Sequence, residues 1–123
     1  MATRRGCAIV ALAIICLLEL ALQCEAACYV VDWKMDIDPH WGKGIKFVEG
    51  DILVFQYRKR HNVVRVGNQN FERCTTSPYD IKYTSGLDAI RLDLGANNFI
   101  STGSTEDCAK MKIKLYVAEL KPR

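Results

Sequence analysis

Apolar residues recur at every second position in short segments of this 123-residue chain, and turn residues separate the segments. The alternation is clearest near the end of the chain, where Met111, Ile113, Leu115 and Val117 share one face. A repeat of two residues is typical of strands with one buried face, whereas an amphipathic helix repeats every 3.6 residues. The pattern therefore predicts an all-β domain, and the length allows one such domain.

Other segments show strand composition or alternation of the same kind. They are residues 28–33, 52–57, 62–66, 89–94 and 97–101, with residues 79–83 as a weaker candidate. A short peripheral helix is predicted over residues 105–110, and the polar stretch 67–70 is predicted as a loop. Short strands with turn residues between them favour an antiparallel sandwich or barrel with Greek-key connections. We expect about seven strands and at most short helices.

The first 26 residues have the layout of a secretory signal peptide. Arg4 and Arg5 precede an apolar run that ends at Leu22, and cleavage fits best after Ala26. A glutamate interrupts the run, which argues against a membrane-spanning helix. No apolar tail follows Leu120, so no membrane anchor is expected. The sequence thus predicts a signal peptide over residues 1–26 and a secreted domain over residues 27–123.

The charge of the chain is mildly basic. The formal net charge is +3 at pH 7, and removal of the leader leaves it unchanged because the leader holds two basic and two acidic residues. Proteins that bind nucleic acid usually carry a much stronger basic footprint. We therefore expect no nucleic acid partner.

Three cysteines remain in the predicted mature domain, namely Cys28, Cys74 and Cys108. An oxidising compartment favours one disulfide among them. Their spacing allows all three pairings, and the third thiol could be free, capped or joined to another chain.

Four segments, in the same order along the chain, carry a resemblance to a known family. They are Tyr29-Val30-Val31 with Trp33, residues 47–57, His61-Asn62-Val63-Val64 and Met111-Lys112-Ile113. They resemble the phytocyanins, which are plant cupredoxins, and among these the plantacyanins or basic blue proteins. The resemblance implies a cupredoxin-like Greek-key β-sandwich or barrel. It also implies a disulfide between Cys74 and Cys108, and gives Cys28 no partner.

The resemblance further implies where a blue copper centre would lie. His61 matches the first histidine ligand and Met111 matches the weak axial ligand. Ser101 stands where the family has its ligand cysteine. Asp107, or Glu106 by a different count through the loop, stands where the second histidine is expected. A type 1 centre needs two imidazoles and a thiolate, so we expect an incomplete site without a resident cofactor, holding copper only if the site is partly functional.

Two functional hypotheses follow. The first is a monomeric extracellular module of the apoplast or cell wall, which binds an extracellular protein or cell-wall polysaccharide, or signals, without a redox metal. The basic run at residues 58–60 lies beside His61 and would favour an acidic partner. The alternative is a blue copper electron-transfer protein of the apoplast. That alternative needs a thiolate near His61, for which Cys28 is the candidate.

Two further interpretations of the same residues stay open. His61 with Asp107 or Glu106 could form a weak site for a divalent metal. Ser101, His61 and Asp107 are also the residue types of a hydrolytic triad. No nucleophile elbow or oxyanion-hole motif accompanies them, so we expect no enzyme.

Overall fold

The structure, a computed structural model, describes residues 4–6 and 27–120. The strands are β1 (Arg4–Gly6), β2 (Ala27–Asp32), β3 (Ile52–Gln56), β4 (Val63–Val66), β5 (Lys82–Tyr83), β6 (Leu87–Arg91), β7 (Gly95–Ile100) and β8 (Lys112–Val117). The helices are α1 (Asn68–Arg73) and α2 (Asp107–Lys110). The prediction of an all-β domain with short helices is confirmed. The predicted signal peptide lies outside the described residues apart from β1.

The strands form two four-stranded sheets, with the orders β1-β2-β3-β6 and β5-β4-β7-β8. Every described strand pair is antiparallel except β2 with β3, which is parallel and places Cys28 opposite Ile52. The expectation of a wholly antiparallel sandwich is therefore wrong for this pair. The connection between the two strands, residues 33–51, is long enough for the crossover that parallel neighbours require.

Helix α1 occupies a stretch that the sequence analysis predicted as a loop. It buries Phe71, which packs in a small cluster with Val64, Val66, Ile100 and Cys108. A helix of six residues has little stability of its own, so tertiary packing decides whether it forms. One apolar residue in a polar hexamer gives no periodic signal, and this is why the prediction of a loop is wrong.

The main core lies between the two sheets and reaches the loops that carry the candidate site. Trp33 meets Phe55 edge-on with ring centroids 5.2 Å apart, and Phe55 meets Phe99 at 5.1 Å. The indole nitrogen of Trp33 donates a hydrogen bond of 2.8 Å to the carbonyl oxygen of Asn62. The buried rings therefore fix the backbone beside His61.

Cys74 and Cys108 form a disulfide with an S–S distance of 2.07 Å, as the resemblance implied. The bond joins the residue that follows α1 to the first turn of α2. Cys28 is also disulfide-bonded, so the expectation that it has no partner is wrong, because a family pattern does not account for cysteines that the family lacks. No helix in residues 27–120 is long and apolar enough to span a membrane.

Candidate functional site

Three separate segments bring the predicted site residues together. His61 precedes β4, Ser101 directly follows β7, and Asp107 begins α2. Backbone hydrogen bonds hold each segment: His61 N donates to Arg58 O at 2.9 Å and Ser101 N donates to Met111 O at 3.1 Å. The fold thus brings together side chains that are up to 46 residues apart in sequence.

The carboxylate of Asp107 lies at the centre of this cluster. Its Oδ2 is 2.8 Å from Nδ1 of His61 and accepts a 2.6 Å hydrogen bond from Oγ of Ser101. Its Oδ1 accepts a further 2.6 Å bond from Oγ of Ser104. His61, Ser101 and Asp107 are all at most 7% exposed. Asp107 therefore joins the imidazole to the serine in a buried network.

The network determines the ionisation of Asp107. Burial raises the pKa of Asp107, because a charged carboxylate loses its hydration. Hydrogen bonds from Ser101, Ser104 and His61 act in the opposite direction and together prevail, so the pKa of Asp107 lies below its ordinary value. The carboxylate is ionised and fully engaged at neutral pH.

The second nitrogen of the His61 ring is also engaged. Nε of Arg60 donates a hydrogen bond of 3.3 Å to Nε2 of His61. A guanidinium can only donate, so Nε2 is the acceptor and Nδ1 holds the proton that it shares with Asp107. Both ring nitrogens of His61 therefore have hydrogen-bond partners, and neither offers a free lone pair to a metal ion.

A second set of contacts holds the loop that covers the site. Asn62 N donates to Ser101 Oγ at 3.3 Å, and Thr102 N donates to Asn62 Oδ1 at 2.8 Å. Gly103 packs so closely that a Cβ atom there would lie 2.2 Å from Arg60 O and 2.8 Å from Asp107 Oδ2. Only glycine fits between these two segments.

Ser104 and Gly103 are site residues that the sequence analysis missed. Ser104 precedes Asp107 by three positions, a spacing typical of a serine that shares hydrogen bonds with an acidic residue at the start of a helix. That signal was present in the sequence. The requirement for Gly103 depends on a contact between distant segments, so no local pattern predicts it.

The remaining candidate residues differ in how they relate to this network. Met111 is fully buried in the main core, and its backbone N donates to Asp107 O at 2.6 Å. Glu106 is exposed, so Asp107 is the acidic residue that faces His61. Cys28 lies on β2, in the other sheet, whereas the residues of the network adjoin β4, β7 and α2. It is therefore not a thiolate donor for His61.

These residues can be compared with the donors that a type 1 copper ion requires. The cluster holds one imidazole, one hydroxyl and one carboxylate, and a hard oxygen pair does not replace a thiolate and a second imidazole. Within the described ranges, no three His, Cys, Asp or Glu side chains are grouped so that they could hold a metal ion. The donor set does not fit a type 1 centre.

The cluster also differs from a hydrolytic triad. Ser101 Oγ donates to the carboxylate of Asp107, whereas a triad requires the serine to contact the imidazole that accepts its proton. The imidazole nitrogen that would serve as the base, Nε2 of His61, instead faces Arg60. The three side chains lie close together, but the serine contacts the carboxylate and not the imidazole, so its hydroxyl is not activated.

A cationic cleft opens beside His61. It has a volume of about 550 Å³, and its lining includes Lys34, Arg58, Arg60 and His61. Lys34 pairs with Asp32 at 3.3 Å. Arg58 and Arg60 make no ion pair with a carboxylate in the described part of the chain. We call Lys34, Arg58 and Arg60 the basic rim.

Comparison with known proteins agrees with this architecture. Residues 33–112 match the family model of the plastocyanin-like domain. Early nodulin-like protein 22 of Arabidopsis thaliana is 39% identical over 84 residues, which are 68% of this chain and 59% of that protein. This chain therefore spans about three fifths of that relative's length.

Two solved structures share the fold. The cucumber basic protein, a blue copper protein, has a TM-score of 0.68 and 38% identity over 73% of this chain and 98% of its own. Spinach plantacyanin has a TM-score of 0.66 and 34% identity with the same coverage. The two-sheet fold and its loop-borne site define a cupredoxin domain. The chain belongs to the phytocyanin family, as the sequence resemblance predicted.

Proposed function

We propose that this chain is a secreted, plantacyanin-like phytocyanin domain that acts as an extracellular or cell-wall binding or signalling module without a functional type 1 copper centre. One observation carries the proposal: the Asp107 carboxylate bridges His61 Nδ1 and Ser101 Oγ at 2.8 and 2.6 Å. A metal ion at this place would have to break both hydrogen bonds. It would gain oxygen donors in return, which suit copper poorly.

The basic rim supports a binding role. Arg58 and Arg60 are exposed guanidinium groups that have no carboxylate partner among the described residues. Guanidinium groups recognise carboxylates with two parallel hydrogen bonds. We therefore assign to this face an acidic partner, either an acidic cell-wall polysaccharide or an acidic extracellular protein. We assign no catalytic role to the site, because Ser101 does not contact the imidazole.

Restoration of the family's ligands tests the proposal directly. The wild-type protein and the double variant Ser101→Cys with Asp107→His should be purified from a secretory host, loaded with Cu(II), and compared by visible absorption and metal analysis. We expect no intense blue band from the wild type and such a band from the double variant. A matched control, Thr105→Cys with Glu106→His, adds the same residue types at exposed positions and should stay colourless. An intense blue colour in the wild type would overturn the proposal.

A weak divalent-metal site is the second candidate, since His61 and Asp107 do lie side by side. Calorimetric titration with Cu(II) and Zn(II) separates it from the metal-free module. Saturable binding that disappears in Asp107→Asn supports the weak site. The absence of heat in the wild type eliminates it.

A further inference from the structure

Asp51 is a buried carboxylate that has no cationic side chain paired with it among residues 27–120. It is 4% exposed and lies directly before β3. Its Oδ2 accepts a 3.0 Å hydrogen bond from Val48 N, and its Oδ1 accepts a 3.2 Å bond from Ala27 N. Within residues 27–120, no lysine, arginine or histidine forms an ion pair with it. Buried carboxylates are almost always paired with a cation.

The backbone nitrogen that Asp51 contacts belongs to the first residue after the predicted cleavage point. Ala27 is 3% exposed. Hydrolysis of the peptide bond between residues 26 and 27 consumes one water, leaves a carboxylate on Ala26 and frees the amino group of Ala27. At a pH below its usual pKa of about 8, that amino group takes up a proton from solvent. The neutral donor beside Asp51 would then become a cation.

We propose that Asp51 is a binding site for the processed N-terminus, so that maturation replaces a hydrogen bond from a neutral amide with a buried ion pair. The ligand is a primary ammonium, supplied by Ala27 of the same chain. The parallel register of β2 with β3 places Cys28 opposite Ile52 and so holds Ala27 beside Asp51. An ammonium donor adds a charge of opposite sign beside the carboxylate, and that attraction is strongest where water is excluded.

Among residues 27–120, the charged side chains near Asp51 in sequence or register are paired elsewhere or form no ion pair with it. Lys46 on the preceding segment pairs with Glu119 at 3.1 Å. Glu49 is half-buried, and Arg91, which lies opposite Ile52 on β6, is exposed to solvent. None of these side chains forms a hydrogen bond or ion pair with the Asp51 carboxylate. Among residues 27–120, the amino group of Ala27 is the one cation that processing would place within hydrogen-bonding distance of Asp51.

A two-by-two comparison tests the proposal. Residues 27–123 are prepared in a Cys28→Ser background, so that the cysteines of this segment are Cys74 and Cys108, which pair with each other. The protein is made with a free amino group on Ala27 and with that group acetylated, each with Asp51 and with Asp51→Asn. Chemical unfolding of all four proteins gives the coupling between the amino group and the carboxylate. We expect acetylation to reduce the folding equilibrium constant about tenfold or more with Asp51 present, and to have little effect in Asp51→Asn.

The pKa of the Ala27 amino group provides an independent readout. Measured by NMR titration, it should lie above the usual value of about 8 in the wild type and return to that value in Asp51→Asn. This readout does not depend on how stable the Asp51→Asn protein is. An ordinary amino-group pKa together with no effect of acetylation would overturn the proposal. So would a secreted protein whose N-terminus begins at a residue other than Ala27.

Discussion

Asp107 keeps its charge in a buried position because three side chains donate hydrogen bonds to it. Folding lowers the pKa of Asp107 below its ordinary value of 3.8. The ionised carboxylate therefore stabilises the fold at pH values above 3.8, and this stabilisation is lost as the pH falls from 3.8 through the lowered pKa. Asp107→Asn removes this effect at every pH. We predict a loss of about 1 to 3 kcal/mol in the free energy of unfolding at pH 7, shrinking below pH 3.8.

The measurement is denaturant unfolding of both proteins across the acid range. Glu106→Gln is the matched control, because Glu106 is the neighbouring acidic residue and is exposed. That variant should change stability by less than about 0.5 kcal/mol. A difference between Asp107→Asn and wild type that stays constant from neutral to acid pH would refute this account of the Asp107 charge.

Gly103 should tolerate no side chain. In Gly103→Ala the new Cβ would lie 2.2 Å from Arg60 O, a backbone atom that cannot move without displacing His61. We predict a destabilisation of about 1 to 3 kcal/mol, together with altered NMR shifts of the His61 ring. Gly67→Ala is the control, since a Cβ there meets nothing within 4 Å. Equal effects of the two substitutions would show that the close approach at Gly103 does not matter.

Some features of the candidate site could be predicted from the sequence and others required the fold. His61, Ser101 and Asp107 were identifiable from the sequence because the family resemblance aligns them with ligand positions. The hydrogen bonds among them were not, because they depend on segments that only the folded sheet brings together. The choice between Glu106 and Asp107 also needed the fold, since burial of Asp107 decides it.

At the scale of elements, the disulfide holds the two helices against the second sheet. It closes a loop with a sequence separation of 34 residues between Cys74 and Cys108. In the chain-entropy model such a loop contributes about 3 to 4 kcal/mol to stability. We predict a loss of that size in Cys74→Ser with Cys108→Ser, measured by denaturant unfolding. Since Cys108 adjoins Asp107, the variant should also broaden the NMR signals of His61. A loss below about 1 kcal/mol would contradict the prediction.

Strands were predictable where their pattern was local. Strand β8 has one buried and one outward face, and the alternation of lysine and tyrosine with apolar residues predicted it to within one residue. Strand β6 was predicted over residues 89–94 but spans Leu87–Arg91. Leu92 is buried although it lies beyond the strand end, so the apolar alternation continues past the strand and the predicted end is too late. The parallel pairing of β2 with β3 follows from chain topology, which a repeat of two residues does not specify.

For the whole molecule, the charge distribution matters more than the net charge of +3. Acidic side chains offset some of the basic ones: Lys46 pairs with Glu119, Arg65 with Asp93 and Lys114 with Glu72. Arg58 and Arg60 are among the basic residues that are not offset in this way, and they line the same cleft beside His61. An acidic polymer should therefore bind at one face rather than over the whole surface.

We predict that an acidic polymer, polygalacturonate, binds this domain in a manner that depends on the basic rim and on salt. Arg58→Gln with Arg60→Gln should weaken binding about tenfold, because each surface ion pair contributes up to about 1 kcal/mol. Arg73→Gln with Arg91→Gln removes the same charge from exposed positions elsewhere and should weaken binding less than about threefold. Binding, measured by calorimetry, should also decline as salt rises from about 0.01 to 1 M, since the screening length falls from about 30 to about 3 Å. Equal losses in the two double variants would mean that net charge alone drives binding, and the basic rim would then have no special role.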